Sequence, residues 1–192
     1  AIQYLTENEI RENKDYLKSF IKNDERKIWT LIMGGPTKYY DYSTKNMKHI
    51  FTSLYKLLKK HDFQLVVIPS MRTPQRIIDK AKDFYNGDQI IISDVDKKAY
   101  LSSLKLADHI VVTCDSTSMI SEAAITGKPI YVADMPAIKN NYRFKKFFEL
   151  FKSLDIIRNL DSSVESWDYK KLNETDRIAG YIEKRFQNYD FS

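Results

Sequence analysis

The stretch from His109 to Val132, HIVVTCDSTSMISEAAITGKPIYV, leaves this chain few folds to choose from. It opens with a short, continuous, largely β-branched apolar run, His109 to Thr113, the pattern of a strand buried on both faces of a parallel sheet. Cys114, Asp115, Ser116, Thr117 and Ser118 are small or capping residues suited to a turn; Met119 to Thr126 is expected as a helix and Gly127 as its stop. Lys128-Pro129 then leads into a second strand, Ile130 to Val132. A helix that begins at the carboxyl end of a buried parallel strand aims unpaired N–H groups and the positive end of its dipole at whatever lies above the sheet, which makes the turn a candidate anion site. Ser118 and Glu122 are four apart and share a helix face, so a phosphate at the turn would leave Glu122 to accept from a sugar hydroxyl. Ordinary Ser/Thr capping with a solvated Glu122 accounts for the same residues without any ligand.

The rest of the chain repeats the strand-then-helix rhythm. Thr6 to Asn23 is expected as an amphipathic helix with a Thr6/Glu9 capping box and with Ile10, Leu17, Phe20 and Ile21 on one side. Ile28 to Met33 is a strand that delivers Gly34-Gly35-Pro36, where two glycines allow close backbone approach to a ligand or a positive φ. Thr37 and Lys38 add a hydroxyl and a cation to that loop, which is neither a Walker loop nor a full GxGxxG, and a plain surface turn fits it equally. Ser43 to Lys60 is a helix and Phe63 to Pro69 an apolar strand that ends at Ser70, Arg72 and Thr73, with Pro74 opening the helix to Tyr85. An arginine at a strand's carboxyl end can fork onto phosphate oxygens; its competing role is an ion pair with Asp94 or Asp115. Gln89 to Ser93 is expected as a strand, Lys97 to Leu106 as a helix with Tyr100 in the core, and Asn140 to Leu154 as a helix whose phenylalanines pack on the sheet. Ile156-Ile157 would be a last strand, Asp161 to Asp168 a loop and Leu172 to Gln187 a terminal helix.

Five strands each followed by a helix predict an α/β domain, a Rossmann-like parallel sheet with helices on both faces, whose ligand edge gathers the loops at Gly34, Ser70, Asp94 and Asp115. At 192 residues one domain is expected over 1–192, with 1–26 as leading helix and linker and 172–188 as terminal helix. The net charge of +5 is spread among acids rather than drawn into a basic stripe, which suits an acidic ligand and argues against nucleic acid. One cysteine and three scattered histidines give neither a disulfide nor a metal spacing, so no metal and a reducing, cytoplasmic setting are expected, with Cys114 a buried filler. There is no apolar run long enough to span a bilayer and no signal peptide; contact at the periphery of a membrane, through the aromatic, lysine-rich segment around Phe147, stays open.

Asp115-Ser116, Glu122-Ala123 and Gly127-Lys128-Pro129 together are similar to the diphosphate- and ribose-binding motif of non-hydrolysing UDP-N-acetylglucosamine 2-epimerases and GT-B glycosyltransferases. With Gly34-Gly35-Pro36, Arg72-Thr73-Pro74, Trp167 and Leu172-Asn173-Glu174-Thr175 added, the chain resembles the C-terminal half of the Elm-type mitochondrial fission family of plants and their bacterial relatives. It departs from that family at Lys98-Ala99-Tyr100, where Asn-Pro-Tyr is usual. The resemblance implies the C-terminal domain of a GT-B fold, an N-terminal partner domain outside this chain, and a nucleotide diphosphate sugar as substrate or ligand with no separate cofactor. It further implies diphosphate contacts at Asp115, Ser116, Thr117, Ser118 and Met119, ribose at Glu122, the base on the main chain of Ile92 and Ser93, and further contacts from Gly34, Gly35, Thr37, Lys38, Ser70, Arg72 and Thr73. No catalytic residue is assigned, because GT-B chemistry draws on the other domain. Two other roles follow from the same resemblance: a non-catalytic scaffold that recruits a partner such as a dynamin-related GTPase, and a nucleotide-sugar 2-epimerase-like enzyme.

Overall fold

The computed structural model describes residues 5–85, 87, 89–161 and 163–171. Six parallel strands form one sheet: β1 (Ile28–Met33), β2 (Gln64–Pro69), β3 (Ile90–Ile91), β4 (His109–Thr113), β5 (Ile130–Ala133) and β6 (Ile157–Asn159), in the spatial order β3-β2-β1-β4-β5-β6. Around it lie α1 (Glu7–Glu12), α2 (Thr44–His61), α3 (Gln75–Phe84), α4 (Lys97–Leu106), α5 (Thr117–Ala123) and α6 (Tyr142–Ser153). This is the expected Rossmann-like α/β class. The apolar runs become strands because helices cover both faces; every residue of β2, β4 and β5 is buried. α2 turns Met47, Ile50, Phe51, Leu54, Leu57 and Leu58 onto the sheet, starts at the Ser43 cap and stops at Asp62, which adopts the left-handed conformation.

The first helix is shorter than its pattern suggests. The Thr6/Glu9 capping box forms, but the helix ends at Glu12 and the chain continues through i→i+3 turns to Phe20. Tertiary contacts override propensity here: the Leu17 N–H donates to Ser102 Oγ (3.0 Å), which donates in turn to Lys14 O (3.2 Å), and Leu17 is fully buried against Val66, Ile68 and Ala99. Phe20, expected on the same buried face, is 58% exposed. Smaller shifts occur elsewhere. Pro74 is the N-cap of α3 rather than its first residue, β3 shrinks to two residues at the sheet edge, and the last strand runs to Asn159. α5 begins at Thr117, two residues early, and passes into a 3-10 turn (Ala124–Thr126) before Gly127 at φ 72. The expected terminal helix, Leu172 to Gln187, lies outside the described residues.

At the amino end of the sheet, four rings from different strands and loops come together. The Trp29 indole stacks with Phe63 (centroids 4.6 Å), His109 (4.6 Å) and Tyr131 (5.4 Å), all within 16° of parallel. The segment from Ser163 to Lys171 closes over them: Glu165 exchanges hydrogen bonds with the Tyr131 hydroxyl, and His109 Nε2 lies 3.0 Å from Glu165 O. Trp167 packs edge-on to Tyr131, donates Nε1–H to Asp155 O (2.6 Å) and carries the Arg158 guanidinium over its face. Trp167 therefore acts as an anchor of the chain against the sheet. Its companions in the family pattern, Leu172 to Thr175, lie outside the described residues.

His109 Nε2 lies between Glu165 O (3.0 Å) and Ser166 Oγ (3.3 Å), and Nδ1 is buried without a partner among the described residues. Burial, and then the charge of Lys27, hold the imidazole pKa down at about 4, with Asp108 opposing. The folded value lies below the unfolded one, so the neutral ring stabilises the fold fully above about pH 6.5, and that contribution is lost as pH falls toward 4. The unfolding midpoint of the chain is expected to drop across this window, and His109→Phe to show a smaller drop over the same window. Parallel curves would show that other groups carry the acid sensitivity.

Candidate functional site

The chain winds outward from β1 to β2 to β3, then α4 carries it back to β4 on the other side of β1. The sheet order reverses between β1 and β4, and in open α/β sheets the crevice at the carboxyl ends of such a pair is where ligands bind. Gly34-Gly35 leaves β1 there and Cys114 to Ser118 leaves β4.

These two loops are clasped through Asp115, whose side chain is fully buried. Its Oδ2 accepts from the Gly35 N–H (2.8 Å) and from Arg72 Nη2 (3.1 Å), while the Gly34 N–H donates to Thr113 Oγ1 (2.8 Å). Arg72 Nη1 also reaches Gly35 O (3.2 Å). The Thr73 hydroxyl faces Met33 O (2.9 Å) and Gly34 O (2.6 Å) and accepts from the Ser70 N–H, and the Tyr42 hydroxyl donates to Gly34 O (3.1 Å). Gly34, Gly35, Ser70, Arg72, Thr73 and Asp115 thus form one network. A Cβ on Gly34 would sit 2.1 Å from Asp115 Oδ2, and one on Gly35 2.0 Å from the Arg72 carbonyl oxygen. The glycines are required by this close approach of protein to protein, since neither adopts a positive φ. Of the two partners open to Arg72, it takes Asp115, and its side chain remains 45% exposed. Burial pushes the Asp115 carboxyl up, opposed by Thr113, the Gly35 N–H and Arg72.

The start of α5 lies beside the clasp. Ser116 is buried and its hydroxyl caps the helix at Met119 N (3.5 Å); Thr117 and Met119 are half-buried and Ser118 is exposed. Glu122 is half-buried rather than solvated, and accepts a 2.6 Å hydrogen bond from the hydroxyl of Tyr100 on α4. No cation pairs with it among the described residues. Burial pushes its carboxyl pKa up, with Tyr100 and then Lys97 opposing. Tyr100 and Ile92 pack on the same apolar cluster, which ties the donor of Glu122 to the end of β3. The Ile92 N–H is engaged by Val67 O (3.0 Å), and Ser93 is half-buried. Thr37 accepts from the Tyr39 N–H, and Lys38 is exposed with its ammonium 5.3 Å from the Tyr39 ring.

One part of this edge escaped sequence reasoning. The loops after β1 and β5 are zipped together by Asp41 N–H to Pro136 O and Ile138 N–H to Tyr39 O, both 2.9 Å. Beside them a cavity of about 570 Å³ opens between Thr117, Tyr39, Asn140, Asn141, Arg143 and Phe144 and Phe147 of α6. The run Asn140-Asn141-Tyr142-Arg143, polar and aromatic where α6 begins, was the signal available for it.

One motif residue, Lys128, works away from the crevice. Lys128 donates Nζ to the carbonyls of Leu104 (3.0 Å) and Lys105 at the end of α4, and burial holds its amine down at about 8. Cys114 is a buried free thiol whose pKa burial pushes up, as suits a filler rather than a nucleophile. Among the described residues no group of three or more His, Cys, Asp or Glu is placed to hold a metal, and no helix is long and apolar enough to cross a membrane.

Comparison with known proteins agrees with this architecture. The UDP-GlcNAc 2-epimerase of Neisseria meningitidis bound to UDP-GlcNAc superposes with TM-score 0.51 at 14% identity, covering 93% of this chain and 40% of that one. A putative UDP-N-acetylglucosamine 2-epimerase of Listeria monocytogenes gives 0.53 at 16%, covering 92% and 52%. At these identities the likeness is one of fold, that of half a GT-B protein. In sequence, the uncharacterised protein RP120 of Rickettsia prowazekii (strain Madrid E) is 30% identical over 182 residues, 91% of this chain and 49% of its own length. Mitochondrial fission protein ELM1 of Arabidopsis thaliana is 27% identical over 157 residues, 79% of this chain and 36% of its own. The chain thus spans half or less of the curated relatives it matches. A family model described as mitochondrial fission ELM1 matches residues 1–186, and the chain belongs to that family.

Proposed function

We propose that this chain is the nucleotide-sugar-binding half of a GT-B-type protein, working with an N-terminal domain that lies outside it. The observation that carries this reading is Glu122: a half-buried carboxylate on α5, the helix that starts at the switch point, held by a neutral hydroxyl and in no ion pair among the described residues. Burying an anion without a counter-charge costs free energy, and a carboxylate with acceptor capacity left over suits the hydroxyls of a ribose. In this reading the N–H groups of Thr117 and Ser118, with Met119 beside them and the loop Gly34 to Lys38, receive the diphosphate, and main-chain groups of Ile92 and Ser93 meet the base. Arg72 keeps a supporting part: its Asp115 pair fixes the loop, and its exposed edge faces phosphate. Support comes also from the fold neighbours, one of which holds UDP-GlcNAc and another, MnaA of S. aureus, UDP. Transfer or 2-epimerisation would then be chemistry of the two-domain protein. A second reading, a scaffold that recruits a dynamin-related GTPase, is favoured by the commitment of Asp115, Arg72 and Thr73 to internal contacts.

Isothermal titration with UDP and UDP-sugars tests the first reading. Glu122→Gln is expected to weaken UDP by about 1.5–3 kcal/mol, the range for a hydrogen bond to a charged group, while the unfolding midpoint barely moves. A loss of stability without a loss of affinity would make Glu122 a structural acceptor of Tyr100 only.

Arg72→Ala separates clasp from ligand contact. It is expected to cost about 1–3 kcal/mol of stability, below the range for a fully buried pair because Arg72 is partly exposed, and to weaken UDP more than uridine. Equal weakening of both ligands would limit Arg72 to the clasp.

The isolated chain is expected to bind UDP weakly and to turn over no UDP-sugar, since no described acid–base pair lies at the crevice to activate an acceptor. Turnover by the 192-residue chain alone would overturn the half-enzyme reading, and failure of every nucleotide to bind the two-domain protein would favour the scaffold.

A further inference from the structure

α6 is held to the sheet on one side only. Phe151 is buried, and Phe144, Phe147 and Phe148 pack against the core, with Phe144 also meeting Tyr39 and Tyr40. The adjoining, outward flank bears side chains that an aqueous surface does not favour. Tyr142 is 57% exposed, Leu150 55% and Leu154 46%, and Ile138, just before the helix, 57%. Spacings of eight and four residues put Tyr142, Leu150 and Leu154 along one flank, about 18 Å from end to end at 1.5 Å per residue. Lys146 lies on the same flank, its ammonium 4.7 Å from the Tyr142 ring.

Charge on this segment is lopsided. From Ile138 to Leu154 there are five cations, Lys139, Arg143, Lys145, Lys146 and Lys152, against one carboxylate, Glu149, on a chain whose net charge is +5. Among the described residues none of the five is in an ion pair. Elsewhere acids and bases pair readily, as Lys97 with Glu9 and Lys171 with Glu7.

We propose that the outer flank of α6 is a docking surface for an anionic lipid bilayer, on which the helix lies parallel to the membrane plane. Charge complementarity favours any polyanion, but the interleaved apolar side chains select the lipid. Leu150, Leu154 and Ile138 gain from the acyl boundary, Tyr142 suits the headgroup level, and the lysines reach acidic headgroups with their stems along the helix. The phenylalanine side fixes the helix before it meets the membrane, so docking carries little ordering cost. Tyr142 and Arg143 also line the cavity that contains Thr117, so a docked domain would open that cavity close to the lipid surface. The inference does not rest on nucleotide binding.

Co-sedimentation of the full chain with vesicles of phosphatidylcholine alone, or with about a third phosphatidylglycerol, tests it. The chain should sediment with the acidic vesicles and not the neutral ones, and lose at least about tenfold in partitioning when salt is raised to screen the surface. Leu150→Glu and the pair Lys145→Glu with Lys146→Glu should each reduce partitioning about tenfold or more with the fold intact by circular dichroism. Lys56→Glu with Lys60→Glu, the same charge change on α2, should reduce it much less. Failure to sediment with acidic vesicles at low salt would overturn the lipid assignment and leave the flank to a protein partner. Equal loss in both charge-reversal pairs would overturn it as well, because net charge rather than this flank would then be what binds.

Discussion

Everything at the carboxyl edge of this sheet depends on one buried carboxylate. Removing a charge from water costs several kcal/mol, and Asp115 meets that cost with a backbone N–H from the neighbouring strand's loop and a guanidinium from the next loop along. The consequence is geometric. Loops from β1, β2 and β4 are joined at a single oxygen, so the Gly34-Gly35 turn has one position relative to the start of α5. The closeness of that joint explains both glycines: the Asp115 carboxylate and the Arg72 backbone occupy the space where their side chains would be.

The crevice has two chemically different sides. Toward β3 it presents Glu122 with its Tyr100 donor, an arrangement suited to hydroxyl groups. Toward β5 it presents asparagines, Arg143 and aromatic rings around an open cavity. Between them lies the first turn of α5, whose unpaired N–H groups favour negative charge. The two relatives the chain matches in sequence are about twice as long or longer.

The opposite edge of the sheet is built for rigidity. Trp29, Phe63, His109 and Tyr131 form a stack sealed by Glu165 and Trp167, so the segment after β6 is tied to strands β1, β4 and β5. A neutral histidine inside such a stack makes the fold sensitive to acid at a point remote from the crevice.

The sequence by itself determined the class of fold and which loops gather at the carboxyl edge of the sheet, because both follow from local periodicity. Buried strands read as apolar runs, α4 was found at its observed bounds, and the switch-point loops were recognisable from Gly34-Gly35 and from Asp115 to Ser118. Which partner each side chain takes was decided only by the tertiary structure, because those partners are far apart in the chain. Arg72 had two acids within its reach on paper and meets Asp115; Glu122, solvated in the ligand-free reading, meets a tyrosine hydroxyl; Leu17 left a helical pattern to fill a hole beside Ala99. The cavity beside α6 likewise arises from two loops, after β1 and β5, that only the strand order brings together. Short-range pattern encodes what a segment becomes, whereas long-range packing decides what it touches.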